Sequence, residues 1–168
     1  VIHVRRGAFQ FAATGDISLL KNALARAPEE LDVGGAETPM RILIALVERD
    51  YDAATRALAA STRNDFQEVD FSFYYPRAWY EAIIARARGD QETAQAKFAE
   101  ARKIFEERLA LKPEDARTLA VLAQVDAGLG AKELAIKEAQ HAVDLMPLSR
   151  DVYDGALVLQ GQAQVYTW

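Results

Sequence analysis

The chain is 168 residues long, 51% hydrophobic and 27% charged, a composition typical of one globular domain. Its formal net charge of −5 argues against a nucleic-acid binder, because such proteins usually present a basic face. The sequence contains no cysteine, so disulfide bonds and cysteine-ligated metal sites are excluded. No apolar run reaches the length of a membrane span, so no membrane association is expected within this chain.

Neither end of the chain looks like a natural terminus. The N-terminal stretch VIHVRRGAFQF has no initiator methionine and no apolar signal core, and the chain closes on the aromatic stretch AQVYTW. We therefore expect a fragment of a longer protein. That protein is expected in the cytoplasm, unless a membrane anchor precedes this region and places it outside.

Prolines, glycines and acidic residues at the ends of apolar-periodic stretches predict a chain built of helices. The predicted helices cover residues 2–13, 16–27, 39–49, 51–61, 76–88, 91–111, 115–128, 131–145 and 151–168. Pro39, Pro76 and Asp115 stand at positions that helix starts favour. The segment 27–39 is predicted to be a loop, and strand-like alternation is confined to VDFSFYY, residues 69–75.

Four turns divide the predicted helices into repeated pairs. Their central positions are Gly15, Arg49, Gly89 and Gly130, which are 34, 40 and 41 residues apart. At 5, 9 and 12 residues after each of them stands a trio of small or apolar residues, which these steps place on one helical face. The trios are Leu20, Leu24 and Ala27; Ala54, Leu58 and Ser61; Ala94, Phe98 and Ala101; and Ala135, Ala139 and Ala142.

Helical hairpins of this length with small residues at these positions resemble the tetratricopeptide repeat. The units cover residues 1–34, 35–68, 75–115 and 116–149, with a partial fifth unit at 150–168. The resemblance is clearest in the fourth unit, through Leu122, Ala123, Gly130, Ala135, Ala142 and Pro147. The first two units depart further, with Leu20 in place of the usual alanine and Arg49 in place of the usual glycine. Extra residues between the second and third units form a linker at 61–76.

This resemblance implies an all-α fold in which residues 1–168 form one domain, an α-α superhelix of stacked antiparallel hairpins. In the family, the first helix of each hairpin lines a concave surface that binds a protein or peptide partner. Arginine and tryptophan are favoured at such binding surfaces. The residues that the resemblance places on this surface are Arg5, Phe9, Leu43, Trp79, Ile83, Arg86, Ala120, Gln124 and Gln164.

Parts of this predicted surface also have an interpretation as packing. Trp79 could pack against the linker, and Arg86 could pair with a nearby carboxylate. The aromatic run FSFYYPRAWY, residues 71–80, could fill the gap that the insertion leaves or form part of a groove. We favour filling for the aromatic run.

The sequence shows no catalytic or metal-binding constellation. It has no glycine-rich phosphate loop with a lysine and no Gly-x-Ser-x-Gly elbow. His3 and His141 are not spaced as metal ligands, and His141 is predicted to lie on the surface. In the long helix, Arg102, Glu106 and their charged neighbours alternate in sign, which indicates a solvated face with i,i+4 ion pairs. We therefore expect a protein that is not an enzyme and holds no cofactor or metal.

Two functions are consistent with these patterns. We favour a non-catalytic module that binds a protein or peptide. Its irregular spacing resembles the C-terminal repeat regions that follow kinase, cyclase or winged-helix domains in large bacterial signalling proteins. The alternative is a structural spacer or self-association element attached to a catalytic domain outside this chain. The predicted C-terminal helix motivates that alternative, because Val165, Tyr166 and Trp168 would leave its end apolar and uncapped.

Overall fold

A computed structural model describes residues 2–26, 37–67 and 73–168 of the chain. About 78% of these residues are helical, which confirms the predicted all-α character. Most of the predicted loop at 27–39 and part of the strand-like stretch at 69–75 lie outside the described residues.

The described helices match the predicted ones to within two residues at each end. They are α1 (Ile2–Thr14), α2 (Ser18–Ala25), α3 (Glu37–Val47), α4 (Tyr51–Ala60), α5 (Arg77–Arg88), α6 (Gln91–Leu111), α7 (Ala116–Gly128), α8 (Lys132–Leu145) and α9 (Val152–Thr167). Two short strands are also described, β1 (Asp65–Gln67) and β2 (Tyr74–Pro76).

Acidic side chains cap the starts of three helices. Asp50 accepts a hydrogen bond from the backbone N–H of Ala53 at 2.9 Å, which satisfies a donor that α4 leaves free. Asp90 caps α6 in the same way, and Asp151 caps α9 by accepting from two backbone N–H groups. Pro76 precedes α5 as predicted, where its fixed φ suits a helix start.

The four predicted turn positions share one unusual backbone conformation. Gly15, Arg49, Gly89 and Gly130 have φ angles of 72°, 58°, 83° and 84°, in the left-handed region. At the last of them, Gly130 donates to the carbonyl of Ala127 at 3.0 Å, and the next N–H donates back to Asp126 at 2.9 Å. Such paired bonds end a helix by satisfying its last carbonyls, and they require a left-handed residue. The same local geometry therefore recurs at positions that the sequence had aligned.

The chain falls into two compact units, residues 1–71 and 72–168, which we call the N-terminal and C-terminal units. The boundary lies in the predicted linker. In the N-terminal unit α1 packs on α2, α2 on α3 and α3 on α4. In the C-terminal unit each helix from α5 to α8 packs on the next, and α9 packs on both α7 and α8.

The aligned trios supply much of the interior. Described members of the trios are buried, apart from Ser61, which is half-buried; Ala27 lies outside the described residues. In the C-terminal unit, Ala135 and Ala139 of α8 form an apolar cluster with Ala123 of α7 and Val165 of α9. Small side chains at these crossings let the helix backbones approach closely, which explains alanines on a buried face.

The aromatic run at 71–80 is largely buried where it is described. Phe73, Tyr75 and Tyr80 are each less than one tenth exposed. Tyr74 meets the ring of Phe105 on α6 edge-on, with centroids 6.2 Å apart. This burial supports the interpretation that the run fills space rather than forming an open groove.

Candidate functional site

Trp79 is half-buried and packs within the aromatic run. Its centroid lies 4.6 Å from that of Tyr75 and 4.9 Å from that of Tyr80. The indole Nε1 is buried and has no hydrogen-bond partner among the described residues. The packing interpretation of Trp79 therefore describes its surroundings better than the predicted hot-spot role.

Arg86 contacts an aromatic ring, and within the described residues no carboxylate pairs with it. Its guanidinium carbon lies 3.9 Å from the centroid of Trp168, a cation–π contact. Burial lowers the pKa of the Arg86 guanidinium below its ordinary value. The ring centroid of Trp168 in turn lies 5.8 Å from that of buried Phe98, so Trp168 contacts both Arg86 and Phe98.

The other predicted surface residues of the C-terminal unit differ widely in exposure. Gln124 and Ala120 are buried, because α9 packs over this part of α7. A carbon atom added at Gly161 of α9 would lie 3.1 Å from Gln124 Nε2, which shows how closely the two helices approach. Ile83 is half-buried and Gln164 is exposed. The prediction that Gln124 faces a partner is therefore wrong, because its side chain faces α9.

In the N-terminal unit, two of the predicted residues are open to contact. Phe9 is 54% exposed and Leu43 is half-buried. Arg5 belongs to α1, but its side chain lies outside the described residues. His3 and His141, which we did not expect to bind metal, are both exposed.

The C-terminal helix is better covered than its sequence indicates. Val165 is 4% exposed and belongs to the apolar cluster with Ala123 and Ala139. Trp168 rests on Phe98. Of the three residues that motivated self-association, Val165 is buried, whereas Tyr166 is 59% exposed and Trp168 is 38% exposed.

The N-terminal unit contains a groove that sequence reasoning missed. It lies between α2 on one side and α3 and α4 on the other, and its volume is about 560 Å³. Its floor is mostly apolar, and its rim carries three basic side chains and one acidic one. The lining residues are Lys21, Leu24, Ala25, Arg41, Ile44, Ala45, Glu48, Ala53, Arg56, Ala57 and Ala60.

The charged rim of this groove is partly engaged and partly available. Lys21 Nζ forms an ion pair with Glu48 Oε1, which links α2 to the turn at the end of α3. Arg41 Nη2 donates to the backbone carbonyl of Leu24 at 3.3 Å, which links α3 itself to α2. Arg56 on α4 is exposed and makes no ion pair within the described part of the chain. One cationic group can therefore meet a ligand directly.

A signal for this groove was present in the sequence. Ala53, Ala57 and Ala60 also follow the 4 and 3 spacing of a helical face, displaced by one residue from the aligned trio Ala54, Leu58 and Ser61. A helix with small side chains on two of its faces can bury one face and leave a shallow channel over the other. Arg56 stands beside this second stripe.

Comparison with family models, curated proteins and solved structures gives no match to this chain. Across residues 2–26, 37–67 and 73–168, every helix is too short or too polar to cross a bilayer. Within those same ranges, histidine, aspartate and glutamate residues form no group of three or more arranged to hold a metal ion.

Proposed function

We propose that this chain is a non-catalytic helical-repeat protein of the tetratricopeptide type, with an α-α superhelical fold, that binds a protein or peptide segment. One observation carries the proposal. Gly15, Arg49, Gly89 and Gly130 are equivalent in the aligned sequence, and each is in the left-handed conformation at the turn between two helices. The trios that follow these turns are buried wherever they are described, except for half-buried Ser61.

The repeated geometry supports binding because of what it does to surfaces. A helical hairpin buries one face against its neighbours and leaves others free along the stack. Such free faces are extended and fixed in shape, which suits them to hold a peptide. In this chain, the groove between α2, α3 and α4 is a described free surface with both apolar area and charge.

The chemistry of the groove favours an acidic peptide segment with aliphatic side chains. Its floor includes Leu24 and Ile44, which would cover aliphatic groups. Its rim carries Lys21, Arg41 and Arg56, of which Lys21 pairs with Glu48 and Arg41 lies 3.9 Å from Glu37. Within the described residues, Arg56 therefore gives the rim an unpaired positive charge, although the chain as a whole has a net charge of −5. A local positive rim on an acidic protein attracts acidic segments and repels basic ones.

The test is to sort a randomised peptide display library against the full chain and then to measure the enriched peptides by fluorescence anisotropy. We expect enrichment of acidic peptides with aliphatic residues, and weaker binding at high salt because charge contributes. Arg56→Glu should weaken binding at least about tenfold, since it removes a contact and adds a repulsive charge. Lys103→Glu, the same charge change on the exposed face of α6, is the matched control and should leave binding unchanged.

The outcomes separate the function from the site. If the enriched peptides bind the Arg56→Glu variant as tightly as the unmodified chain, the binding function stands but the groove is not the binding site. In that case Phe9 and Gln164, the exposed members of the predicted concave surface, become the positions to substitute. A library from which no peptide is enriched would overturn the binding function itself.

A further inference from the structure

A buried charged cluster joins three helices of the C-terminal unit. Asp126 on α7 is fully buried, at 0% exposed. Arg102 on α6 donates from Nε to Asp126 Oδ1 at 2.7 Å and lies 3.1 Å from Glu106 Oε1 through Nη1. Glu138 on α8 lies within hydrogen-bonding reach of Asp126. Two carboxyl groups from adjacent helices thus face one another beside one arginine.

While both carboxyl groups are ionised, this cluster contains buried oxygen atoms that have no hydrogen-bond donor. Asp126 Oδ2 and Glu138 Oε2 are both buried, and each lacks a hydrogen-bond partner within the described residues. Carboxylate oxygens only accept hydrogen bonds, so two facing carboxylates cannot satisfy each other. A single proton placed between them turns one into a donor and satisfies both. Arg102 can then neutralise the charge that remains.

We propose that Glu138 keeps its proton at neutral pH and donates it to Asp126, and that this proton holds α8 against α7 and makes the interface sensitive to pH. The proposal is independent of peptide binding, since it concerns packing inside the C-terminal unit.

The electrostatic surroundings of Glu138 agree with this geometry. Burial, and then the negative charge and hydrogen bond of Asp126, raise the pKa of Glu138 to about 8. Arg102 acts in the opposite direction, and Glu106 adds to the rise. The other helix packed against α8 is α9, which meets it through Gln162, whose amide donates to Gln140 at 3.0 Å.

The direction of the pH effect follows from proton binding in the two states. Glu138 has an ordinary pKa of 4.5 in the unfolded chain and about 8 in the folded one. Between these values the folded state holds a proton that the unfolded state has lost, so stability falls as pH rises. Above about pH 8 both states are ionised and this contribution stops changing. The interface is therefore tightest in mildly acidic solution.

The decisive measurement is a carbon-13 NMR titration of the Glu138 side-chain carboxyl in the full chain. We expect a midpoint near 8, together with slower amide exchange in α8 at about pH 6 than at about pH 9 after correction for the intrinsic rate. A midpoint close to the ordinary value of 4.5 would overturn the proposal. This titration uses the unmodified protein, so it does not depend on any variant folding.

A pair of variants tests the link to stability. Glu138→Gln supplies an amide N–H that can donate to Asp126 at every pH. As pH is raised from about 5 to about 8, its unfolding midpoint should therefore decrease only by the amount that the other titrating groups cause. Glu107→Gln replaces an exposed glutamate on α6 and should keep the pH dependence of the unmodified chain. Equal pH dependence in Glu138→Gln and the unmodified chain would contradict a proton held by Glu138.

Discussion

Gly128, the last residue of α7, lies directly on the ring of Phe98 in α6. A carbon atom added at Gly128 would be 2.6 Å from the nearest ring carbon, closer than real contacts allow. The Phe98 ring cannot easily move aside, because it is fully buried and its centroid lies 5.8 Å from that of the Trp168 ring. Glycine at this position is therefore a packing requirement, separate from the turn glycine two residues later.

Gly128→Ala is expected to destabilise the protein. Overpacking of a filled interior costs about 1–3 kcal/mol, which exceeds the gain of about 0.5–1 kcal/mol from alanine in a helix. The unfolding free energy in urea measures the balance. In the double variant Gly128→Ala with Phe98→Leu, the smaller side chain should relieve the clash. The cost of Gly128→Ala should therefore be smaller there than in the unmodified background. Equal costs in both backgrounds would show that the ring does not set the limit.

Ala135→Leu tests whether alanines in α8 act as spacers. Ala135 is fully buried against Ala123 and Val165, so a larger side chain must push helices apart. We expect a loss of about 1–3 kcal/mol and a lower thermal midpoint. Ala156→Leu makes the same change at an exposed position in α9 and should have little effect. A midpoint for Ala135→Leu at or above that of the unmodified chain would contradict the spacing role.

The helices, the turns and the buried trios could be predicted because their signals are local. Glycine marks a left-handed turn within its own few residues, and a 4 and 3 spacing marks one helical face. The surroundings of Gln124 could not be predicted, because α9 decides that this face of α7 is covered. The same limit applies to Arg102, which was predicted to lie on a solvated face. Its pairing with Glu106 is confirmed, but it also reaches Asp126 on another helix.

The groove in the N-terminal unit could not be predicted either, because the sequence of one helix does not show which of its faces stay uncovered. The repeat alignment assigned one face of α4 to the interior and gave no reason to examine its neighbouring alanines. Whether Ala53 and Ala57 are covered depends on how α2 and α3 approach α4, which no single helix determines. Charged residues such as Arg56 acquire a candidate role only when such a channel is seen beneath them.

Arg49→Gly is expected to stabilise the protein. Arg49 is the one described residue other than glycine with a positive φ, and that conformation costs an ordinary side chain about 1 kcal/mol. Part of the gain is offset by the greater freedom of glycine in the unfolded chain, so a net gain of up to about 0.5–1 kcal/mol is expected. Denaturant unfolding would measure it, and a loss would show that the Arg49 side chain stabilises the turn.

The converse substitution provides the control for the turn. Gly130→Ala meets no atom within 4 Å, so any loss comes from its φ of 84° alone. We expect a destabilisation of about 1 kcal/mol. Agreement in size and opposite sign between the two variants would identify backbone conformation as the common cause.

Arg117 of α7 and Asp154 of α9 form an ion pair whose carboxylate is almost fully buried, and its removal should be costly. The side chain of Asp154 is 6% exposed, and that of Arg117 is 36% exposed. The hydrogen bond to Asp154 raises the pKa of the Arg117 guanidinium above its ordinary value. Arg117→Ala leaves the carboxylate buried without its partner. Such a loss costs about 3–5 kcal/mol for a fully buried pair, and about 1–3 kcal/mol here because Arg117 is partly solvated.

The contrast with an exposed ion pair makes this prediction specific. Lys97 Nζ lies 2.7 Å from Glu81 Oε2 and 2.9 Å from Glu100 Oε2, and the side chains of these two glutamates are 31% and 56% exposed, against 6% for Asp154. Lys97→Ala should therefore cost less than about 1 kcal/mol. Urea unfolding of both variants gives the comparison. Equal losses would mean that Asp154 gains as much from solvent as from Arg117, and that the contact between α7 and α9 rests on apolar packing alone.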